Sequence, residues 1–188
     1  MNAYDFDKTI FYPDSSVTFV RWIYRKYPLL ALRCLPISAF YGLLYLLKLV
    51  PKEKLKEKAF CFVRFLDDID EELRIYWDEH ESWICKWYLR QRRDDDIIIS
   101  ASPQFVIRPM SERMGFKLIA TPMDKKTGII HGRNCHGEEK VRRLREECGD
   151  VKIENFYSDS LTDTPMAKIA DKAWLIVDKG QTPVPWEF

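Results

Sequence analysis

The stretch Asp5-Phe6-Asp7-Lys8-Thr9 decides the fold of this 188-residue chain, because two carboxylates stand one residue apart where a short apolar segment ends. Alternate side chains of an extended strand point to the same face, so Asp5 and Asp7 start on one side and converge with Thr9 as the chain turns. Crowded carboxylates raise each other's pKa, and a hard cation such as Mg²⁺ relieves that cost. The stretch therefore predicts a strand that ends in an acidic, metal-binding turn.

Three later segments place further polar side chains at the ends of predicted strands. An isoleucine run ends in Ser100, and Ser102-Pro103 predicts the N-cap and first turn of a helix. Lys140 lies in the first turn of another predicted helix, and Asp159 and Asp163 follow an aromatic strand. Ligands of open α/β sheets bind outside the carboxyl ends of the strands, so these segments predict one shared site.

The pattern of apolar residues and turn signals predicts an α/β protein with one early insertion. Strands are predicted at Tyr4–Phe6, Asp96–Ala101, Lys117–Ala120, Ile153–Ser158 and Ala173–Val177. The long segment between the first two strands has helical periodicity. We therefore predict a mostly parallel core sheet from residues 1–13 and 94–188, with a helical cap at residues 14–93.

The four motifs, in this order, resemble those of the haloacid dehalogenase (HAD) superfamily of phosphotransferases. The run Ser-Asp-Ser-x-x-Asp-x-Pro-Met at residues 158–166 is similar to the Gly-Asp-x-x-x-Asp-x-Pro-Met of subgroup IB, which contains phosphoserine phosphatase. That subgroup carries a cap (C1 type) between the first and second motifs. The resemblance implies a Rossmann-like, mostly parallel sheet flanked by helices, with an inserted helical cap.

The resemblance also implies a role for each motif residue in a phosphomonoester hydrolase. Asp5 would be the nucleophile that forms an aspartyl-phosphate intermediate, and Asp7 would be the general acid and then the general base. Thr9, Ser100 and Lys140 would bind the phosphoryl oxygens and stabilise their charge in the transition state.

Magnesium is the cofactor that the resemblance implies. Its ligands would be the Asp5 carboxylate, the Asp7 backbone carbonyl and Asp159. Asp163 would not bind the metal itself but would orient metal-bound water or Lys140.

Composition and charge limit the classes of partner. The chain has 46% hydrophobic and 31% charged residues and a formal net charge of +1, which favours a globular protein without a nucleic-acid surface. Five cysteines without a Cys-x-x-Cys pair predict reduced thiols in a cytoplasmic protein. The first motif begins at residue 5, so we expect no signal peptide and a cytoplasmic location, peripheral to the membrane if the cap touches lipid.

The segment from Leu29 to Val50 is unusually apolar for a soluble cap. The 14 residues between Arg33 and Lys48 would give roughly 21 Å of helix, less than a hydrocarbon core of about 30 Å. Pro36 is also predicted to break the run. We expect no membrane span, and three alternatives stay open: a buried hairpin, a homodimer surface or peripheral membrane contact, with the first two favoured.

The substrate stays undetermined between two kinds of phosphomonoester. Ser100-Ala101-Ser102 stands where phosphoserine phosphatases commonly have Ser-Gly-Gly, and with the apolar cap it is closer to relatives that act on phospholipid monoesters, such as phosphatidylglycerophosphatase C. A small soluble phosphomonoester and a phospholipid headgroup therefore both remain candidate substrates. Transfer of phosphate to a second alcohol, and a non-catalytic HAD-fold interaction protein, are less favoured alternatives.

Overall fold

A single six-stranded sheet organises the chain in the computed structural model, which describes all residues from 1 to 188. The strands are β1 (Asn2–Tyr4), β2 (Ile97–Pro103), β3 (Lys117–Thr121), β4 (Ile153–Ser158), β5 (Ala170–Val177) and β6 (Thr182–Pro185). Their order is β3-β2-β1-β4-β5-β6, and every pairing is parallel except that of β6. The predicted α/β fold with a mostly parallel sheet is therefore confirmed.

Eight helices connect and flank these strands. They are α1 (Ser15–Lys26), α2 (Pro28–Leu46), α3 (Lys52–Ala59), α4 (Ile69–His80), α5 (Lys86–Gln91), α6 (Gln104–Met114), α7 (Glu138–Cys148) and α8 (Thr164–Ala167). The first five all lie between β1 and β2. Asp14 begins α1 because its carboxylate accepts a hydrogen bond from the Val17 amide at 2.9 Å.

Alternate residues of the central strands face opposite sides of the sheet and build two apolar cores. On one side, Tyr4 and Ile98 join a core that includes side chains of α1, α4, α5 and α6. On the other, Ala3 and Phe156 pack with α7 and α8. Both faces of the sheet are covered, as expected for parallel strands.

Several predicted boundaries were wrong for identifiable reasons. β1 ends at Tyr4 rather than at Phe6, so Asp5 lies just beyond the strand. Helix α6 begins at Gln104 without a side-chain cap, because the Ser102 hydroxyl bonds to Asp7 instead. Pro36 does not break α2; the Leu32 carbonyl that loses its amide partner belongs to an exposed residue and can bind water.

The helical insertion packs in two different ways. Trp77 of α4 and Tyr88 of α5 lie in the same apolar core as Tyr4, so the end of the insertion lines the sheet. Helices α2 and α3 contact mainly each other. The division into a core and a cap at residues 14–93 stays a prediction, but the insertion shares a continuous apolar core with the sheet.

Helix α2 is exposed, so the buried-hairpin alternative for residues 29–50 was wrong. Only Ala31 and Cys34 of this helix are buried. By length and composition alone, α2 is apolar enough to cross a membrane. An apolar run looks the same in sequence whether protein, lipid or a second chain covers it, which explains the error.

Candidate active site

A buried ion-pair network lies at the carboxyl ends of β1 and β4. Lys140 Nζ donates to Asp5 Oδ1 and to Asp163 Oδ2, each at 2.6 Å. The Ser158 hydroxyl, at the last position of β4, donates to the same Asp163 oxygen at 2.8 Å. All four residues are buried. Lys140 therefore joins two carboxylates that come from opposite ends of the sequence.

Asp7 is held by the start of α1 and by the end of β2. The Ser15 amide donates to Asp7 Oδ1 at 2.6 Å, and the Ser102 hydroxyl donates to Oδ2. Ser102 Oγ is also 2.6 Å from Ser16 Oγ. These contacts fix both oxygens of the Asp7 carboxylate at the boundary between the insertion and the sheet.

Ser100 and Thr9 occupy different places, although both were predicted to bind phosphate. Ser100 Oγ accepts a hydrogen bond from the Ser102 amide at 3.0 Å, which leaves its own proton free to donate. Thr9 is fully buried, and its hydroxyl accepts from the Asp159 amide at 3.0 Å. Thr9 therefore anchors the loop that carries Asp159.

One cavity of about 510 Å³ collects the predicted side chains. It is lined by six of the seven: Asp5, Asp7, Ser100, Lys140, Asp159 and Asp163. Thr9 is the exception: it is buried and does not line the cavity. The rest of the lining includes residues of α1, α2 and α3, so the insertion covers the site that the strand ends build.

Comparison with known protein families decides the family. The model of the haloacid dehalogenase-like hydrolases matches residues 3–168, which include every motif residue. The chain belongs to the haloacid dehalogenase-like hydrolases.

Individual relatives of this HAD chain are distant. It is 26% identical to the protein CicA of Caulobacter vibrioides over 201 aligned positions, covering 95% of this chain and 86% of that protein. A Bordetella pertussis Tohama I protein of unknown function has a similar structure, with TM-score 0.71, 16% identity and coverage of 92% and 87%. A phosphoserine phosphohydrolase-like protein of Francisella tularensis SCHU S4 follows at TM-score 0.56, 13% identity, and coverage of 94% and 88%. These structures share the HAD fold.

The free oxygens of the HAD site fit a hard divalent cation. Asp163 Oδ1 is buried without a hydrogen-bond partner, and the Asp159 side chain lines the same cavity. No three acidic, imidazole or thiol side chains form a preassembled metal cage. Mg²⁺ does not need one, because it keeps several waters and could be held by Asp5, Asp159 and the Asp7 carbonyl.

Burial and neighbouring charges shift the pKa values of Asp5 and Lys140 in opposing ways. Burial raises the pKa of Asp5 to about 8, against the opposing effect of Lys140. Burial alone would lower the pKa of Lys140, but Asp5 and Asp163 raise it above its ordinary value. A nearby divalent cation would lower the pKa of Asp5, because it stabilises the carboxylate. The donor set therefore fits a cation on electrostatic grounds as well.

Asp7 is suited to exchanging a proton. Burial, followed by the charge of Asp14, raises the pKa of Asp7 to about 6, while hydrogen bonds from Ser102 and Ser15 oppose the shift. A carboxyl group that titrates near neutral pH can serve as both acid and base.

Sequence reasoning missed the cationic residues that the insertion contributes to the cavity. Lys56 of α3 donates to the Ala101 carbonyl at 2.6 Å and to Asn134 Oδ1 at 2.7 Å. Arg21 of α1 also lines the cavity. No motif marks these residues, since only the packing of the insertion on the sheet brings them to the site.

Proposed function

We propose that this protein is a Mg²⁺-dependent phosphomonoester hydrolase that works through an aspartyl-phosphate intermediate on Asp5. The observation that carries the proposal is the Asp5–Lys140–Asp163 network at the base of a cavity that Asp7 and Ser100 also line. We also assign the chain to subgroup IB of the HAD proteins, with a C1-type cap, because its helical insertion lies between β1 and β2.

The chemistry proceeds in two steps that share the same carboxylates. An oxygen of Asp5 attacks phosphorus and forms an acyl phosphate, while the P–O bond to the alcohol breaks and Asp7 gives its proton to the leaving oxygen. Asp7 then removes a proton from water, whose oxygen attacks the phosphorus of the intermediate. The P–O bond to Asp5 breaks, and inorganic phosphate leaves.

The surrounding groups stabilise the negative charge on the transferring phosphoryl group. The Ser100 hydroxyl donates to a phosphoryl oxygen, and Lys140 contributes a buried positive charge. Asp5, Asp159 and the Asp7 carbonyl would hold Mg²⁺, which would supply further charge neutralisation when bound. Asp163 keeps Lys140 in position, and Thr9 positions the Asp159 loop.

Phosphate release from a matched substrate panel tests the proposal. The panel contains phosphoserine, other soluble phosphomonoesters, and phosphatidylglycerophosphate in mixed micelles. We expect turnover that requires Mg²⁺ and is abolished by Asp5→Asn. Release that continues in excess chelator, or that survives Asp5→Asn, would overturn the proposal.

A membrane-derived phosphomonoester, similar to phosphatidylglycerophosphate, is a second candidate substrate. The cavity combines the acidic base with apolar walls that include Val20, Leu35, Leu55 and Phe60. Such walls suit an ester whose alcohol carries an apolar part. Preference for the micellar ester in the panel supports this candidate, and preference for soluble esters excludes it.

Two other activities use the same fold and are less favoured. A phosphotransferase would form the same acyl phosphate and transfer its phosphoryl group to a second alcohol. Analysis of the products therefore separates it from a hydrolase. A non-catalytic interaction protein would not need the intact acidic site that this chain retains. We place the protein in the cytoplasm as part of the proposal.

A further inference from the structure

Exposed apolar side chains concentrate on one segment of the insertion. Ten of the eighteen exposed large hydrophobic side chains lie between Leu29 and Leu49, and Leu29 and Leu46 are 80% and 77% exposed. We call residues 28–50 the α2 surface. Exposed apolar patches of this kind mark sites of contact with a partner or a membrane.

Positive charge accompanies the α2 surface. Residues 15–59 contain nine Lys or Arg and two Asp or Glu, whereas the rest of the chain contains 21 basic and 27 acidic residues. A net charge of +7 on this part of the insertion therefore stands against −6 elsewhere. Apolar side chains beside a basic cluster are complementary to an anionic lipid surface.

The sheet excludes a membrane-spanning α2. β1 precedes α2 in the chain, and it pairs with β2 and β4, which both follow α2. A spanning α2 would put these hydrogen-bonded strands on opposite sides of the bilayer. The helix can therefore meet lipid only by lying along the interface.

A second copy of the chain fits this surface less well than lipid does. A two-fold dimer brings the same patch of each subunit together. Both copies would then bring the same excess of positive charge, including Lys48, Lys52 and Lys54 at and after the end of α2, and like charges at an interface are unfavourable. An anionic bilayer provides the opposite charge.

The α2 surface is continuous with the candidate active site. Leu35 of α2 lines the cavity, and so do Arg21, Lys52 and Leu55 from the flanking helices. A protein seated on lipid through α2 would therefore hold one wall of its cavity against the bilayer.

We propose that residues 28–50 form a monotopic docking surface for an anionic lipid bilayer, with α2 lying in the interfacial plane. Apolar side chains of α2 enter the acyl boundary, and the basic residues around them contact headgroups. The proposal concerns binding alone, so it holds or fails independently of the phosphatase chemistry.

Vesicle flotation tests this docking surface directly. The full-length protein is mixed with vesicles of phosphatidylcholine containing one third phosphatidylglycerol, or of phosphatidylcholine alone. We expect the wild type to float with the anionic vesicles and far less with the neutral ones. The double variant Leu32→Gln/Leu46→Gln should lose about tenfold or more in partitioning, because each leucine side chain contributes strongly when buried in an apolar phase.

Matched variants separate the apolar and the electrostatic contributions. Lys48→Gln/Lys54→Gln should weaken flotation with anionic vesicles only, and Leu89→Gln/Ile169→Gln, which removes two exposed aliphatic side chains outside the α2 surface, should float like the wild type. Circular dichroism melting checks that each variant folds. Two results would overturn the proposal: wild-type protein that does not float, or a stable dimer that Leu32→Gln/Leu46→Gln dissociates.

Discussion

Lys140 and Asp5 form a buried ion pair, with 2.6 Å between Nζ and Oδ1, across 135 residues of sequence. Lys140 makes an equally short contact with Asp163. A buried cation between two carboxylates compensates charges that would each be costly alone. The pair therefore serves both the stability of the fold and the placement of the candidate nucleophile.

Replacing Lys140 by Met should destabilise the protein strongly. The change leaves Asp5 and Asp163 buried without their cation, and breaking such a pair costs about 3–5 kcal/mol. Urea unfolding at neutral pH in metal-free buffer measures the loss. Lys152→Met is the matched control, because its ion pair with Asp171 lies on the surface and should contribute little to stability. Equal effects of the two variants would contradict the buried-network account.

Asp7→Asn should separate the two chemical steps. An amide cannot protonate a leaving alkoxide, so turnover of alkyl phosphates should fall by about 10²–10⁴-fold. An aryl phosphate with a good leaving group needs no acid, and its first step should survive as a burst of released phenol. The burst should be followed by slow turnover, since no base activates water. Steady aryl-phosphate turnover at the wild-type rate would contradict the role of Asp7.

Thr9→Val should weaken metal binding more than the maximal rate. The change removes the acceptor for the Asp159 amide inside a fully buried position and so loosens the loop that carries Asp159. We expect the Mg²⁺ concentration for half-maximal activity to rise several-fold, with kcat at saturating Mg²⁺ much less affected. Thr127→Val, which loses a side-chain hydrogen bond to Asp124 on a distant loop, is the control. An unchanged Mg²⁺ requirement would contradict the anchoring role.

Lys56 should give the protein a pH-dependent stability at alkaline pH. Burial lowers the pKa of Lys56 to about 8 from 10.5, so the folded protein releases this proton at lower pH than the unfolded chain does. Between these values the unfolded chain binds more protons, and stability therefore rises with pH.

We expect the unfolding free energy of the wild type to rise relative to that of Lys56→Met as the pH increases from about 8 to about 10. Urea unfolding across this range makes the measurement, and other titrating groups cancel in the comparison. Lys54 is an exposed residue on the same helix, and the unfolding free energy of Lys54→Met should change with pH in the same way as that of the wild type. If the difference in unfolding free energy between the wild type and Lys56→Met stayed constant across this pH range, the lowered pKa of Lys56 in the folded protein would be contradicted.

The sequence predicted the catalytic candidates because each of them is tied to the local geometry of the sheet. Asp5 follows β1, Ser100 lies in β2 beside a register shift, and Asp159 follows β4. Parallel strands bring such positions together at the carboxyl-terminal edge of the sheet, independently of the conformation of the connecting loops. Six of the seven predicted side chains therefore line one cavity. Thr9 does not line it, because its hydroxyl bonds to the backbone of the Asp159 loop instead.

The remaining features depend on tertiary packing that local patterns do not encode. Ser102 looked like a helix cap, but the hydroxyl lies close enough to Asp7 to bond there. No sequence pattern marks Lys56, and only the docking of α3 against Ala101 and Asn134 half-buries its ammonium group. The exposure of α2 was equally hidden, because hydropathy does not tell which surface covers a helix.

Trapping the covalent intermediate tests the central claim most directly. The protein is mixed with Mg²⁺ and a turnover substrate, quenched in acid, digested, and mapped by mass spectrometry. We expect a phosphoryl group on Asp5 in the wild type, accumulation of the same species in Asp7→Asn, and none in Asp5→Asn. Turnover with a phosphoryl group on another residue, or without any trapped phosphoryl group in Asp7→Asn, would contradict Asp5 as the nucleophile.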